Sequence, residues 1–203
     1  MKAIELLKSQ HRQVEELFKQ LEVAKDDVEK SRLFEELATN LVAHDAIERE
    51  IFYPACEEKM GLNDLLGEAL VEHGVVEFSL FCADNAQGEE DFDYKCTVLK
   101  DVIGHHVKEE EETLFPKVEK VLGAEALTAL GAEMQARFKE VKEEDFRGPL
   151  HDNLRQVLSG ATRTTPTSAP RKVAARKTVK KSRGVRGASP NGSDGHAGAR
   201  ASR

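Results

Sequence analysis

The sequence HDAIEREIFYP, residues 44–54, is repeated in outline by HVKEEEETLFP, residues 106–116. In both copies a Glu follows the first His by four residues, and a Pro follows it by ten. Residues four apart lie one turn apart on the same face of an α-helix. Each copy therefore predicts a helix that presents an imidazole beside a carboxylate, followed by a proline that kinks or ends the helix.

The segments around the two copies have the periodicity of amphipathic helices. Apolar residues recur at spacings of three and four, which places them on one stripe of a helix. Four such segments are separated by breaks near residues 25–30, 60–64 and 85–91, and a shorter fifth helix is predicted from about residue 124 to residue 142. Long helices joined by short loops predict an all-α fold, an up-down antiparallel four-helix bundle with a short fifth helix.

The charge distribution divides the chain into unequal parts. The net charge is −7, yet residues 161–203 contain eleven Lys or Arg and a single acidic residue. We expect a helical domain over residues 1–145, a transitional segment over 146–160 and a disordered basic tail over 161–203, because the tail has too few apolar residues to form a core.

Each apolar stripe is interrupted near its middle, where a His occupies a position that the pattern otherwise gives to an apolar residue. This occurs in all four long segments. Three of these histidines are followed by a Glu at the fourth position. An ionised Glu in a helical core is costly unless it is paired or bound to a metal. The stripes offer no Lys or Arg to pair with it, and imidazole with carboxylate suits iron, manganese or zinc. The sequence therefore predicts a shared metal site, with candidate ligands His11, His44, Glu48, His73, Glu77, His106 and Glu110.

The residues that form this pattern are similar to a known family. Over roughly residues 1–142 the chain resembles the hemerythrin-like, HHE cation-binding proteins. The doubled motif is the most specific part of the resemblance, and the runs Gln10-His11-Arg12 and Glu72-His73 add to it. The resemblance implies an up-down four-helix bundle like that of myohemerythrin, which agrees with the fold predicted from the periodicity.

The resemblance implies two non-haem iron ions joined by an oxo or hydroxo bridge. It implies that Glu48 and Glu110 bridge the irons and that His11 and His44 complete one of them. An open coordination position would take O2, peroxide or nitric oxide. The remaining implied ligands, which belong to the other iron, are His73, His106 and Glu77.

Two ligand assignments stay open at the level of sequence. His105 with Glu109 or Glu110 is an alternative register to His106, although the matched spacing to Pro116 favours His106. Glu111 is the second choice for the bridging acid and is otherwise expected, with Glu112, on the solvated face.

A third open point is Glu77, where the oxygen-carrying hemerythrins have a His. A further carboxylate ligand would favour the ferric state and argues against reversible oxygen carriage. The alternative is that Glu77 does not ligate and leaves an additional open position. Three polar residues lie off the ligand stripe and could either pair at the surface, which is favoured, or support the ligands from behind: Asp45, Arg49 and Glu50.

The remaining features bear on cellular context. Cys56, Cys82 and Cys96 do not form a disulfide framework and are expected as reduced thiols. No apolar run is long enough to span a bilayer and no signal peptide is evident, so a cytoplasmic protein is expected.

The basic tail has three possible roles. It is predicted either to bind nucleic acid non-specifically, to remain a solvated extension or to dock on the acidic bundle.

Three functional hypotheses follow. The first is a non-enzymatic di-iron protein that binds, senses or scavenges O2, hydrogen peroxide or nitric oxide. The second is an enzyme on the same site with catalase-like or nitric-oxide-consuming activity. The third is a bundle tethered to nucleic acid by residues 161–203, which salt-dependent DNA retention of the truncated chain would test. The sequence does not predict an oligomeric state.

Overall fold

The computed structural model describes residues 1–159 and shows an all-helical bundle, as predicted. The predicted basic tail, residues 161–203, lies outside the described residues. Two of the helical segments are π-helical turns, Glu48–Phe52 and Glu110–Leu114. The α-helices are α1 (Ala3–Val23), α2 (Asp27–Ile47), α3 (Tyr53–Met60), α4 (Asp64–Asp84), α5 (Phe92–Glu109), α6 (Phe115–Lys142) and α7 (Arg147–Leu158).

The two π-helical turns explain how the chain passes its prolines. The amide of Tyr53 donates to the carbonyl of Glu48, five residues back, and the amide of Phe115 donates in the same way to Glu110. A proline lacks an amide hydrogen and clashes with the carbonyl four residues back in a regular α-helix. The widened turn moves that carbonyl away. The helix therefore continues past Pro54 and Pro116 as α3 and α6, and the Glu of each motif copy begins the widened turn.

The ends of the helices follow from local side chains. Asp26 caps α2 by accepting from the amides of Val28 and Glu29, and Asn63 caps α4 by accepting from the amide of Leu66. Gly61 ends α3 with a φ of 71°, a conformation that glycine adopts without steric cost. These boundaries agree with the predicted breaks.

The predicted fifth helix forms the second part of α6. Gly123 interrupts the helical geometry with φ 74° and ψ 169°, so the chain bends there before it packs against α1 and α2. A Cβ atom on Gly131 would lie 2.8 Å from the backbone nitrogen of Ala3. The start of the chain and α6 therefore approach so closely that only glycine fits.

The transitional segment contains a seventh helix that the sequence pattern left open. Leu150 and Leu154 of α7 are buried, and Val157 packs so close to Gly74 of α4 that a Cβ on that glycine would lie 3.0 Å from the valine. The ring of His151 contacts Phe81 edge-on, at 5.5 Å between centroids. These contacts place α7 against α4, directly beside the middle of the bundle.

No helix within residues 1–159 is long and apolar enough to cross a membrane. The core is made of apolar side chains from every α-helix, mostly Leu, Ile, Val and Phe, except in the central layer, where charged and polar side chains are buried instead. Apolar packing alone cannot account for the burial of that layer.

Candidate metal centre

The central layer brings six of the candidate ligands together. Every one of them is at most 9% exposed, and Glu48 is fully buried. They come from α1, α2, α4 and α5 and from the first residue of each π-helical turn. The six are His11, His44, Glu48, His73, His106 and Glu110.

Their ligand atoms form two overlapping groups, each with all atoms within 4.8 Å of one another. One group joins His11 and His44 to both carboxylates, and the other joins His73 and His106 to Glu48. Because Glu48 belongs to both groups, its carboxylate lies between two sets of histidines. The arrangement offers two neighbouring positions for a cation with a carboxylate shared between them.

The inner nitrogen of each histidine faces this centre. The Nε2 atoms of His44 and His73 lie 3.1 Å and 3.3 Å from Oε2 of Glu48. The Nε2 atom of His11 lies 3.4 Å from Oε2 of Glu110, and that of His106 lies 3.7 Å from the same oxygen. All four inner nitrogens therefore converge on the two glutamates.

The outer nitrogen of each histidine is held by a polar side chain. A metal-bound imidazole usually donates its second N–H to a carboxylate or carbonyl, which fixes the tautomer and the orientation of the ring. All four rings follow this pattern, with Nδ1 outward and Nε2 inward. The four Nδ1 contacts are His11 with Glu111 at 2.8 Å, His44 with Gln10 at 2.8 Å, His73 with Asp45 at 2.5 Å and His106 with Glu72 at 2.9 Å.

Several buried atoms in the centre lack a hydrogen-bond partner among the described residues. They include both carboxylate oxygens of Glu48, Oε2 of Glu110 and Nε2 of His11. Leaving buried polar atoms unpaired costs about 1–3 kcal/mol each, and more when they are charged. Oxygen and imidazole nitrogen atoms that face a common point without partners are the donors that a cation needs, so these residues fit a metal.

Comparison with known proteins agrees with this geometry. The hemerythrin HHE cation binding domain matches residues 2–118. The chain belongs to the hemerythrin HHE cation-binding family. The crystal structure of a hemerythrin HHE cation binding domain-containing protein from Mycobacterium kansasii superposes with a TM-score of 0.63 and is 26% identical, covering 79% of this chain and 94% of the other. The curated proteins gave no match.

The electrostatic environment of this hemerythrin domain favours the charged forms of Glu48 and His73. Burial alone would raise the pKa of Glu48, but the nearby imidazoles of His44 and His73 lower it well below its usual value. Burial would likewise lower the pKa of His73, but its hydrogen bond to Asp45 and the nearby carboxylate of Glu48 raise it to about 10. In the metal-free domain His73 therefore carries a proton at neutral pH that offsets part of the carboxylate charge, and a cation bound to its Nε2 must displace that proton.

Tyr53 is a residue of the hemerythrin centre that sequence reasoning missed. Its hydroxyl donates to Oε1 of Glu110 at 2.9 Å and lies 2.8 Å from Nε2 of His73. Burial and the charges of Glu110 and Glu48 raise the pKa of this hydroxyl well above its usual value. Its place in the first motif copy, directly before Pro54, was a usable signal, because the π-helical turn ends there.

Glu77 lies apart from the two groups of ligand atoms. Its Oε2 accepts from Nη2 of Arg49 at 3.1 Å, while Oε1 is buried without a partner among residues 1–159. Burial and the charge of Asp45 raise the pKa of Glu77 to about 7, despite the opposing charge of Arg49. The structure thus places this carboxylate beside a buried cation of the protein itself.

The surface interpretation of Asp45 and Arg49 is wrong. The Asp45 and Arg49 residues are 8% and 6% exposed, and Nε of Arg49 donates to Oδ1 of Asp45 at 2.7 Å. Both residues lie off the apolar stripe, and they are buried because α4 and α7 cover this side of the helix, where Glu77 binds Arg49 and Asn153 binds Asp45. Glu50 is exposed and pairs with Arg137 at 2.7 Å, as expected of a surface pair.

His105, the alternative to His106 as a ligand on α5, lies away from the metal centre. The side chain of His105 is 67% exposed and lies 3.3 Å from Glu72 at the surface, whereas His106 is buried with its Nε2 inward. Glu109 and Glu112 are exposed. Glu111 is half-buried and binds both His11 and, at 2.6 Å, Arg12, so it supports an imidazole rather than lying on a solvated face.

A small cavity adjoins the hemerythrin centre. Its volume is about 40 Å³, and the four histidines line it together with apolar side chains such as Leu41, Val76, Leu80 and Ile103. A water molecule occupies about 30 Å³ of the liquid. The space beside the imidazoles therefore has room for a molecule of two to a few atoms.

Proposed function

We propose that this protein holds two non-haem iron ions and uses them to bind a small oxidant, namely O2, hydrogen peroxide or nitric oxide. The observation that carries the proposal is the orientation of all four imidazoles, with Nε2 at the centre and Nδ1 anchored outside. Membership of the cation-binding family supports it, as does the mixed nitrogen and oxygen donor set, which suits iron.

The proposed ligand set contains the six residues of the two groups. His11 and His44 would hold one ion, His73 and His106 would hold the other, and the carboxylates of Glu48 and Glu110 would serve both. Glu77 is left out of this set because Arg49 already binds one of its oxygens. Iron bound here would supply redox chemistry and an open position for the ligand.

The cavity supports the proposed class of ligand. A diatomic molecule or peroxide fits a space of about 40 Å³ bordered by imidazoles on one side and aliphatic side chains on the other. An apolar wall favours uncharged molecules, because an ion would lose its hydration there without compensation. The chain therefore combines a polar centre with an access space suited to neutral gases and peroxide.

A peroxide-consuming enzyme is the second candidate, and Tyr53 is the observation that favours it. Its hydroxyl is a proton donor at hydrogen-bond distance from His73 and Glu110 inside a buried site. Peroxide decomposition needs a group that can give and take back a proton next to the ligand. Tyr53 would serve this role through its hydrogen bonds to His73 and Glu110, whereas simple binding does not need it.

The decisive experiment measures the metal content and the visible absorption of the full chain purified in air, followed by titration with nitric oxide, O2 and hydrogen peroxide. Two irons per chain and a spectrum that each ligand shifts would support the proposal. A His105→Ala variant should behave like the wild type, because this side chain lies at the surface. A folded protein that takes up no iron, or an iron-loaded protein whose spectrum no ligand changes, would overturn it. Sustained consumption of hydrogen peroxide would favour the enzyme over the binding protein.

A further inference from the structure

An open groove runs along the seam between α1 and α5, outside the cavity that adjoins the histidines. Its volume is about 510 Å³, and Phe18 and Gly104 are among the residues that line it. The groove and the inner cavity share four lining residues, which are His11, Val14, Ile103 and Val107. Within the described bundle, these side chains separate the solvent from the space beside the imidazoles on this side.

The seam is closed by ion pairs at both ends and by apolar contacts in between. Arg12 pairs with Glu111 at 2.6 Å at one end, and Lys100 pairs with Glu22 at 2.5 Å at the other. Between them, the aliphatic side chains of Val14, Ile103 and Val107 have no polar atom with which a hydrogen bond could hold them in place. We define these three residues as the aliphatic gate.

The opposite side of the inner cavity is closed more firmly, by α7. A second outer cavity, of about 60 Å³, shares Val42, Asp45 and Asn153 with the inner one. The side-chain amide of Asn153 donates to Oδ2 of Asp45 at 3.0 Å, and Asp45 in turn holds His73. Moving α7 away would break the hydrogen bond from Asn153 and expose Leu150 and Leu154, which are buried, whereas displacing an aliphatic side chain breaks no hydrogen bond.

We propose that small uncharged molecules reach the centre between α1 and α5, through the aliphatic gate, and that α7 seals the other side. The inference rests on the proposed function, since it concerns the path of the ligand to the same site. The three side chains of the gate make no hydrogen bond, so displacing them breaks no polar contact and unfolds no helix. Its apolar lining sets specificity, because charged molecules would have to shed water to pass.

Gly104 keeps the groove open. It lies in the middle of α5, where glycine is unfavourable relative to alanine, yet a Cβ there would meet no atom within 4 Å. Packing therefore does not require glycine at this position. A larger side chain at residue 104 would extend into the groove next to the gate. A substitution there is therefore expected to obstruct the groove without disturbing the packing of the helices.

The first test measures nitric oxide binding to the iron-loaded full chain by stopped-flow absorption. In Gly104→Leu we expect association and dissociation to slow equally, by about tenfold, within the range over which on-rates vary among variants of one site. The equilibrium affinity and the iron content should not change, and Val107→Ala should accelerate both rates. Gly67→Leu is the matched control, because residue 67 is also a helical glycine with open space around it but lies outside the groove.

The second test uses xenon on the metal-free chain, so that it does not depend on iron. Xenon exchange, followed by nuclear magnetic resonance, should slow in Gly104→Leu and remain unchanged in Gly67→Leu. Equal rates in the wild type and Gly104→Leu, in either experiment, would overturn the gate. A wild type that binds no nitric oxide would contradict the proposed function instead, and the xenon result would still decide whether the gate exists.

Discussion

The Nε2 atoms of His73 and His106 face each other at 3.1 Å in the middle of the bundle. The Nδ1 atom of each ring contacts a carboxylate, Asp45 for the first and Glu72 for the second. With both outer nitrogens donating, two lone pairs would meet at the centre unless a proton or a cation lay between them. Because Asp45 and Glu48 raise the pKa of His73 to about 10, this imidazole carries a proton at neutral pH when no metal is bound. The pair is therefore built to hold a positive charge.

The two shared carboxylates give the first prediction. Glu48→Ala and Glu110→Ala should each lose at least one metal ion per chain, because each removes at least one buried oxygen that has no hydrogen-bond partner within the described bundle. Metal analysis of the purified variants measures this directly. Glu112→Ala, which truncates an exposed Glu in the same π-helical turn as Glu110, should keep the full metal content. Two metals retained in either of the first two variants would contradict the ligand assignment.

The second prediction concerns the hydroxyl of Tyr53. Tyr53→Phe keeps the buried ring and removes the hydrogen bond to Glu110, so the fold and the metal content should persist. We expect the visible spectrum of the iron-loaded protein to shift and any peroxide consumption to fall. Tyr94→Phe provides the control, because Tyr94 is 75% exposed on the surface of α5. An unchanged spectrum and unchanged turnover would remove Tyr53 from the centre.

The sequence predicted the helices and the residues whose ligand atoms meet at the centre, because both depend on the spacing of residues along the chain. Periodicity locates a stripe on each helix, and His44 with Glu48, four residues apart, must share a face whatever the surrounding structure. The partners of the outer nitrogens could not be derived in this way. Gln10 and His44 lie on different helices, and their contact depends on how α1 packs against α2.

The same limit explains what the sequence left open around Arg49. Regular 3.6-residue spacing places Arg49 off the apolar stripe, and that spacing does not show which other helices cover this side of the chain. Its partner Glu77 and the stabilising Asn153 come from α4 and α7, which are distant in sequence. Residues 146–160 do carry a helical spacing, at Phe146, Leu150, Leu154 and Leu158, so the existence of α7 is predictable from the sequence. Its docking on Gly74 is visible only in three dimensions.

The third prediction tests the close approach of α6 to the start of the chain. Gly131→Ala should destabilise the protein by about 1–3 kcal/mol, a typical cost of overpacking, since its Cβ would lie 2.8 Å from the nitrogen of Ala3. Gly104→Ala should instead stabilise it by roughly 0.5–1 kcal/mol, because the added methyl group has free space in a helix. Chemical denaturation of both variants measures whether the free energy of unfolding falls in Gly131→Ala and rises in Gly104→Ala. Equal effects would mean that the backbone contact at Gly131 is relieved by a small shift.

The fourth prediction concerns the buried cation beside the centre. Arg49→Met leaves Asp45 and Glu77 without their shared partner, so the metal-free protein should lose about 3–5 kcal/mol of unfolding free energy. Adding Glu77→Gln to that variant should restore part of the loss, because one uncompensated charge is removed. Arg137→Met is the control, since this arginine pairs with the exposed Glu50 and such a surface pair contributes about 0–1 kcal/mol. A loss no larger than that of the control would show that water reaches the two carboxylates.

The fifth prediction follows from the raised pKa of Glu77. A carboxyl whose pKa rises on folding, here from 4.5 to about 7, contributes stability that is fully present below pH 4.5 and is lost as the pH rises through 7. Glu77→Gln cannot ionise and keeps that contribution. In the metal-free protein the variant and the wild type should therefore be similarly stable near pH 5, and the variant should be more stable at pH 8, by roughly 3 kcal/mol at most, since one pKa unit corresponds to about 1.4 kcal/mol. Glu68→Gln, an exposed position on the same helix, should show no such divergence. If the unfolding free energies of Glu77→Gln and the wild type changed in parallel with pH, Arg49 would keep the carboxylate of Glu77 ionised throughout. Arg49 and Glu77 would then form a fixed ion pair, and Glu77 would not take up a proton near neutral pH.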